Sequence, residues 1–155
     1  MDKFDSLDAK ILRALQADAS LSITELAEKV GLSSNACWKR VKRLEEDGFI
    51  LKRVVLVDRA KVNHAVTAFV EIRTDEHEDA WLSRFAKIVC DIPEIVEFYR
   101  LSGQVDYMLK IVCSDIADYD RIYKKLIRNT RLRDVSAFFA MEQLKYTTEI
   151  PIGLG

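Results

Sequence analysis

The hydrophobic pattern of this chain changes its period near residue 64, and this change separates two kinds of local structure. In the N-terminal part, Leu7, Ile11 and Leu15 recur at helical spacing within "LDAKILRALQ". From residue 66, the segment "VTAFVEI" instead alternates apolar and other positions, which is typical of a half-buried strand. A chain of 155 residues can hold two small domains. We therefore predict an α+β protein with a helical N-terminal domain and a sheet-containing C-terminal domain.

Three helices are predicted in residues 1–50. Ser22 and Glu25 have the S-x-x-E spacing of a capping box, so the second helix begins after Ser22. Gly31 favours the end of that helix, and Ser33 is a good N-cap for a third helix that runs through Glu46. Two helices joined by a short Gly-containing turn, after a supporting helix, indicate a helix-turn-helix.

The third helix carries the stretch "SNACWKRVKRLEED", in which residues 33–44 contain no acidic residue. Cys37, Val41 and Leu44 lie at i, i+4 and i+7 and predict one buried stripe. A count of 100° per residue places the polar positions relative to that stripe: Asn35, Lys39 and Lys42 opposite it, Arg43 next to them, and Trp38 and Arg40 at its flanks. Because the whole chain has a net charge of −1, any attraction for a polyanion must be local to this helix.

This pattern predicts contact with double-stranded DNA. In a helix-turn-helix the second helix enters the major groove with its N-terminal end, where Asn can bond adenine and Ser can contact bases or phosphates. Basic side chains further along meet phosphates or guanine edges. The predicted DNA-binding residues are Ser33, Ser34, Asn35, Trp38, Lys39, Arg40, Lys42 and Arg43. The alternative is a solvated helix face with i,i+4 ion pairs, which would need acids interleaved with the bases.

The C-terminal segments follow the order βαββαβ, which predicts a ferredoxin-like sandwich with two helices on one face of four antiparallel strands. We expect a helix-turn-helix domain at 1–50, a linking strand at 51–62 that begins within "FILKRVVLVD", and an effector-binding and oligomerisation domain at 63–155. The last predicted strand, "VSAFFAMEQLKYT", is apolar on both faces. A second apolar face favours packing against another copy, and the alternative is cover by the chain's own N-terminal arm.

The segment "LSGQVDY" joins the second and third predicted strands. Gly103 allows the positive φ that a hairpin needs. Asp106 has two possible roles, and the residues alone leave both open. Its carboxylate could hold the ammonium of a small amino acid, or it could stabilise the turn.

Several classes of function find no support in the sequence. No apolar run reaches the roughly 18 residues of a membrane helix, and the start has no signal-peptide pattern, so we expect a cytoplasmic protein. Cys37, Cys90 and Cys113 are widely separated and are expected to be reduced thiols. No metal-ligand spacing or catalytic motif is present, so we predict neither a metal site nor a cofactor, and no enzymatic activity.

The blocks "LDAKILRALQADA", "ELAEKVGLS", "WKRVKRLEEDGFI" and "SGQVDY", in this order and spacing, resemble the Lrp/AsnC family of feast/famine transcriptional regulators. The resemblance covers nearly the whole chain. One departure is Asn63 and His64, where many members have a Leu-Gly pair. A narrower similarity of "CWKRVKRLE" and "AMEQLKYTTEIPI" is to a proteobacterial subgroup associated with cysteine and other sulfur amino acids.

The resemblance implies dimers that often assemble into octamers, with an amino acid bound between dimers. The effector-binding residues it implies are Ser102, Gly103, Gln104, Val105, Asp106, Tyr107, Ser136 and Phe138. We thus expect a cytoplasmic, nucleoid-associated, sequence-specific transcriptional regulator that responds to an amino acid. The alternatives are an architectural DNA-wrapping protein without an effector, and an amino-acid-binding regulatory subunit of an enzyme.

Overall fold

The computed structural model describes residues 4–76, 78–128 and 130–153. The chain forms two compact units, which are Met1–Leu56 together with Lys145–Gly155, and Val57–Leu144. The prediction placed residues 145–155 in the C-terminal domain, whereas the structure groups them with the N-terminal unit. The two units are therefore joined by two chain connections, after Leu56 and after Leu144.

The N-terminal unit contains helices α1 (Ser6–Ala17), α2 (Ile23–Val30) and α3 (Ser34–Glu46). Each begins at a side-chain cap. Asp5 caps α1, Ser22 and Glu25 form the predicted capping box of α2, and Ser33 accepts the Ala36 N–H at the start of α3. Gly31 ends α2 with φ of 76°, which fits the predicted glycine stop because L side chains disfavour that conformation.

One apolar cluster holds these three helices together. Its fully or largely buried members come from α1, α2 and α3, and they are Ile11, Ala14, Leu26, Ala27, Val30, Cys37, Val41 and Leu44. The stripe predicted on the third helix is therefore confirmed, because all three of its members are buried. The opposite face of α3 is left pointing away from this core.

The described residues 51–62 form no strand within this single chain, so the linking strand expected there stays a prediction. Residues 51–58 belong to no helix or strand, and Leu51 and Val55 are 89% and 87% exposed. β-branched residues favour an extended backbone, but a strand also needs a neighbouring strand that forms hydrogen bonds with its N–H and C=O groups. Since the described residues supply no such neighbour, the segment stays outside the sheet.

The second unit has the predicted βαββαβ order: β1 (Val66–Arg73), α4 (Asp79–Cys90), β2 (Ile95–Arg100), β3 (Tyr107–Cys113), α5 (Ile116–Ile127) and β4 (Asp134–Phe139). The strands lie in the order β2-β3-β1-β4, and all neighbours are antiparallel. Trp81 and Phe85 from α4 and Ile122 and Leu126 from α5 pack on the same sheet face. The predicted fold class, with a helix-turn-helix followed by a ferredoxin-like sandwich, is confirmed.

The last strand is shorter than predicted, because it ends at Phe139 and not near residue 147. Only Ala140 continues the ladder, through a bond from its N–H to the Thr67 carbonyl oxygen at 2.9 Å. Opposite the residues that follow, β1 extends only to its first residue, Val66, so little of that strand remains for pairing. Residues 145–153 run on without regular structure into the N-terminal unit.

The sheet face away from the helices remains open. Phe69 of β1 and Phe138 of β4 are cross-strand neighbours on it and are 38% and 54% exposed. Lys110 pairs with Phe69 from the other side and bonds Glu97 at 2.6 Å. In the described ranges, the structure contains no helix long and apolar enough to cross a membrane.

Candidate DNA-binding helix and effector loop

The outer face of α3 carries a run of exposed polar and basic side chains. Ser34, Asn35, Trp38, Lys39 and Lys42 are all exposed. The Lys42 ammonium lies 5.4 Å from the Trp38 ring centroid and 3.6 Å from a Glu46 oxygen. Such exposed contacts are weak, so the side chain can exchange them for a phosphate.

Two of the predicted DNA-binding arginines point elsewhere. Arg40 Nη1 lies 2.8 Å from both Asp5 Oδ2 and Asp8 Oδ1, and Arg43 Nη2 lies 2.5 Å from Asp8 Oδ2. The Asp8 side chain is 0% exposed. The helical wheel placed Arg43 beside the outward face, but its long side chain reaches back across the core edge to α1. These two guanidinium groups therefore serve as counter-ions inside the unit in this structure, and their role as phosphate contacts stays a prediction.

The Asp5–Asp8–Arg40–Arg43 cluster, named here the α1–α3 ion cluster, is stabilised from several directions. Asp8 accepts both guanidinium groups, and it also accepts the Asp5 N–H at 3.0 Å. The Asp8 N–H bonds the Asp5 carboxylate and, with the Arg40 guanidinium, holds the pKa of Asp5 below its ordinary value. A buried carboxylate is tolerated only when it is paired in this way. The cluster thus fixes α3 against α1.

Asp5 and Asp8 were not among the residues predicted from the sequence. The signal available was the D-x-x-D spacing in "DSLD", which fits a reciprocal capping box of the kind the structure shows at α1. That signal predicts a helix start but gives no arginine partner, because the partners lie more than thirty positions away.

The effector loop at residues 101–106 has the predicted hairpin geometry. Gly103 has φ of 128°, a region that glycine adopts without strain. The Leu101 N–H donates to the Asp106 carbonyl oxygen at 2.8 Å and closes the loop. Asp106 Oδ2 accepts the backbone N–H of buried Thr74 at 2.8 Å. One carboxylate oxygen therefore stabilises the loop, and no side-chain hydrogen bond to Oδ1 occurs within the described residues.

The other predicted effector residues fall into three groups. Ser102 and Gln104 are exposed, and Val105 is half-buried beside them. Tyr107 is buried, with its ring centroid 5.9 Å from that of Trp81. Ser136 and Phe138 lie on β4, paired with Glu71 and Phe69. In the part of the chain that the structure describes, no side-chain hydrogen bond joins these two to the effector loop.

A depression of about 230 Å³ lies beside Trp81 and was not predicted. Arg84 and Arg131 supply positive charge to it, and Glu76 supplies negative charge. This set of charges complements the carboxylate and ammonium of an amino acid. No sequence motif marks this depression, because its residues come from separate segments.

Comparison with known proteins assigns the chain to a family. The Lrp/AsnC ligand binding domain matches residues 67–150, and a winged helix-turn-helix DNA-binding domain matches residues 4–50. The chain belongs to the Lrp/AsnC family. It is therefore a DNA-binding transcriptional regulator with a separate ligand-binding domain.

Similar members of the Lrp/AsnC family cover nearly the whole chain. The glutamate uptake regulatory protein of Zymomonas mobilis is 51% identical over 97% of this chain and 92% of that protein. The crystal structure of an AsnC family regulator from Agrobacterium tumefaciens is 56% identical, with a TM-score of 0.93 over 96% of this chain and 97% of that one. A transcriptional regulator of Neisseria meningitidis in complex with L-Met is 29% identical, with a TM-score of 0.90 over 96% and 97%.

Proposed function

We propose that this regulator binds specific DNA sequences through α3 and that a free amino acid bound between dimers changes its assembly and DNA affinity. The observation that supports the DNA-binding role is that the polar side chains of α3 lie on two faces with different surroundings. Arg40 and Arg43 are paired with α1, whereas Asn35, Lys39 and Lys42 are exposed on the other face. A helix with its core face buried and its basic face free suits the major groove.

The proposed effector is a free amino acid, and no cofactor is needed. The Neisseria relative is in complex with L-Met, and the Zymomonas relative is a regulator of glutamate uptake. In this chain, the effector loop offers backbone amides for a carboxylate and Asp106 Oδ1 for an ammonium. Ser102, Gly103, Gln104, Val105 and Tyr107 would surround the ligand, with Ser136 and Phe138 supplied across an interface.

The proposed assembly is a homodimer that associates further to an octamer. The open sheet face with Phe69 and Phe138 would bury its aromatic side chains against a second copy. A dimer also places two α3 helices on successive half-sites, which multiplies weak single contacts.

The remaining assignments follow from this role. We propose that the protein works at the nucleoid in the cytoplasm, and that it is not an enzyme. Its relatives are named as transcriptional regulators, and no His, Cys, Asp and Glu group in the described residues could hold a metal ion. The link to a sulfur-amino-acid subgroup stays a prediction.

DNA binding by α3 is tested by the salt dependence of affinity. Lys39→Ala with Lys42→Ala should weaken binding to a duplex selected by the wild-type protein from a random library. The slope of log K against log salt should fall by about 2, since each lost phosphate contact removes about one released counterion. Lys10→Ala, which removes one exposed charge from α1, should leave the slope unchanged.

Two results would contradict this assignment. An unaltered slope in the double variant would show that Lys39 and Lys42 do not meet phosphate. A slope reduced by Arg40→Ala would show that the guanidinium group leaves Asp8 to reach DNA.

Equal affinity for all duplexes, with no response to any of the twenty amino acids, would favour an architectural DNA-wrapping protein.

A further inference from the structure

The C-terminal segment at residues 145–152, named here the strap, is bonded to the outer side of α1. Arg13 donates through Nε and Nη2 to the Ile152 carbonyl oxygen at 3.2 and 2.9 Å. Gln16 Nε2 donates to the Ile150 carbonyl oxygen at 3.1 Å, and Gln16 Oε1 accepts the Ile150 N–H at 2.8 Å. Gln16 thus satisfies both backbone groups of Ile150, as a neighbouring strand would.

At its N-terminal end, α1 holds the DNA-binding helix through the α1–α3 ion cluster. Arg13 and Gln16 lie in the C-terminal half of the same twelve-residue helix. Since a short helix moves as one body, a force on Arg13 and Gln16 also acts on Asp8 and its arginine partners. The strap is therefore mechanically connected to α3.

At its other end, the strap continues directly from β4. That strand carries Ser136 and Phe138, two of the proposed effector residues. Between β4 and the strap, Ala140 still bonds Thr67 and Gln143 accepts from Arg59 at 3.4 Å, so the ligand-binding unit anchors the chain up to this point. The covalent chain from Gln143 to Ile150 is therefore the route by which a shift of β4 would reach α1.

We propose that the strap transmits the effector signal, in that amino-acid binding at β4 alters the hold of Ile150 and Ile152 on α1 and thereby the position of α3. This inference rests on the proposed amino-acid response. By linkage, the ligand must bind the strap-docked and strap-released arrangements with different affinity.

The strap contact suits a reversible element. It consists of hydrogen bonds to backbone groups at an exposed site, and Ile150 is 69% exposed. An open groove of about 600 Å³ lies between α1 and the strap, so the two surfaces are not closely packed. Segments with few buried contacts are those that open locally at low cost.

The test compares the full-length wild-type protein with Arg13→Ala plus Gln16→Ala, and with a chain ending at Glu149. Lys10→Ala is the matched control, because it removes an exposed charge from α1 without touching the strap. Affinity for the selected duplex is measured with and without each of the twenty amino acids, tried separately. Amino-acid binding is measured independently by thermal shift.

We expect an amino acid to change wild-type DNA affinity by about 5- to 150-fold, and this ratio to approach one in both strap variants. Their thermal shift with the same amino acid should match that of the wild type, and Lys10→Ala should keep the full ratio. If the strap only stabilises α1, both variants will lose stability and bind DNA more weakly with and without ligand, but the ratio will survive. That outcome overturns the strap's role while leaving the proposed function intact. If no amino acid changes wild-type affinity, the proposed function fails, and the strap proposal fails with it.

Discussion

At the scale of single residues, Asp106 shows how one side chain can combine two roles. Its Oδ2 accepts the Thr74 N–H, and Oδ1 faces no side-chain donor among the described residues. The two hypotheses that the sequence left open, loop stabilisation and ammonium binding, are therefore compatible. Asn at this position would keep an oxygen for Thr74 but would lose the charge.

Asp106→Asn should consequently separate the two roles. We expect amino-acid affinity to fall by about 10-fold or more, since a hydrogen bond to a charged group contributes about 1.5–3 kcal/mol. DNA affinity without ligand and the midpoint of thermal unfolding should stay close to wild type, because the Thr74 bond remains. Isothermal titration with the effector identified by thermal shift gives the affinity, and Asp120→Asn on the surface of α5 is the control.

An unchanged amino-acid affinity in Asp106→Asn would contradict the effector-loop assignment. The depression near Trp81 would then be the better site, and Glu76→Gln would be the variant to lose ligand binding.

At the scale of elements, the packing of α3 on α1 depends on charge as well as on apolar contact. Asp8 is fully buried, while the Arg40 and Arg43 side chains are 27% and 23% exposed. The arginines can therefore recover some hydration if Asp8 is lost, but Asp8 could not if they were lost.

Asp8→Asn should accordingly lower the free energy of unfolding by about 1–3 kcal/mol, because it weakens charge-assisted bonds to two guanidinium groups. Urea unfolding followed by circular dichroism measures the change. Asp47→Asn, an exposed position just after α3, should stay within about 0.5 kcal/mol of wild type. A stability of Asp8→Asn equal to that of Asp47→Asn would show that the α1–α3 ion cluster contributes nothing.

The helices were predictable because their signals are local. Capping residues such as Ser22 and Ser33 and the stripe of Cys37, Val41 and Leu44 act within a few turns. Propensity alone does not decide whether residues 51–62 form a strand, since strand formation depends on a distant partner. The orientation of Arg40 and Arg43 was missed for a related reason. A helical wheel gives the direction of the Cα–Cβ bond, but a guanidinium group can reach several ångströms to either side.

At the scale of the whole molecule, the order of elements in both units followed from the change of hydrophobic period. The second chain connection, through the strap, was not predictable from this pattern. The strap is held largely through its backbone carbonyl oxygens, which leave no pattern of side chains in the sequence. The predicted effector site was only partly assembled. The sequence indicated the loop at Gly103, whereas we propose that Ser136 and Phe138 reach such a loop from a second chain.

Dimerisation through the open sheet face predicts the effect of a charge at its centre. Phe69→Asp should raise the dimer dissociation constant by about 100-fold or more, because a buried charge without its own partner costs about 3–5 kcal/mol, and the neighbouring Lys110 is already bonded to Glu97. Sedimentation velocity reports the change, with circular dichroism to confirm folding. Ile116→Asp alters an exposed apolar residue at the start of α5 and should leave the dimer intact. A dimer that tolerates Phe69→Asp would place the interface elsewhere.

The return of the chain to α1 gives the protein a nested topology. Val57–Leu144 is an insertion within the N-terminal unit, whose own sequence is completed only by the last residues. A fragment cut at residue 50 would thus be an incomplete domain, with Arg13 and Gln16 stripped of their acceptors. Ligand specificity could therefore be exchanged between relatives by replacing Val57–Leu144 as one segment. A graft with both ends at these connections would transfer the ligand-binding unit and leave the DNA-binding unit unchanged.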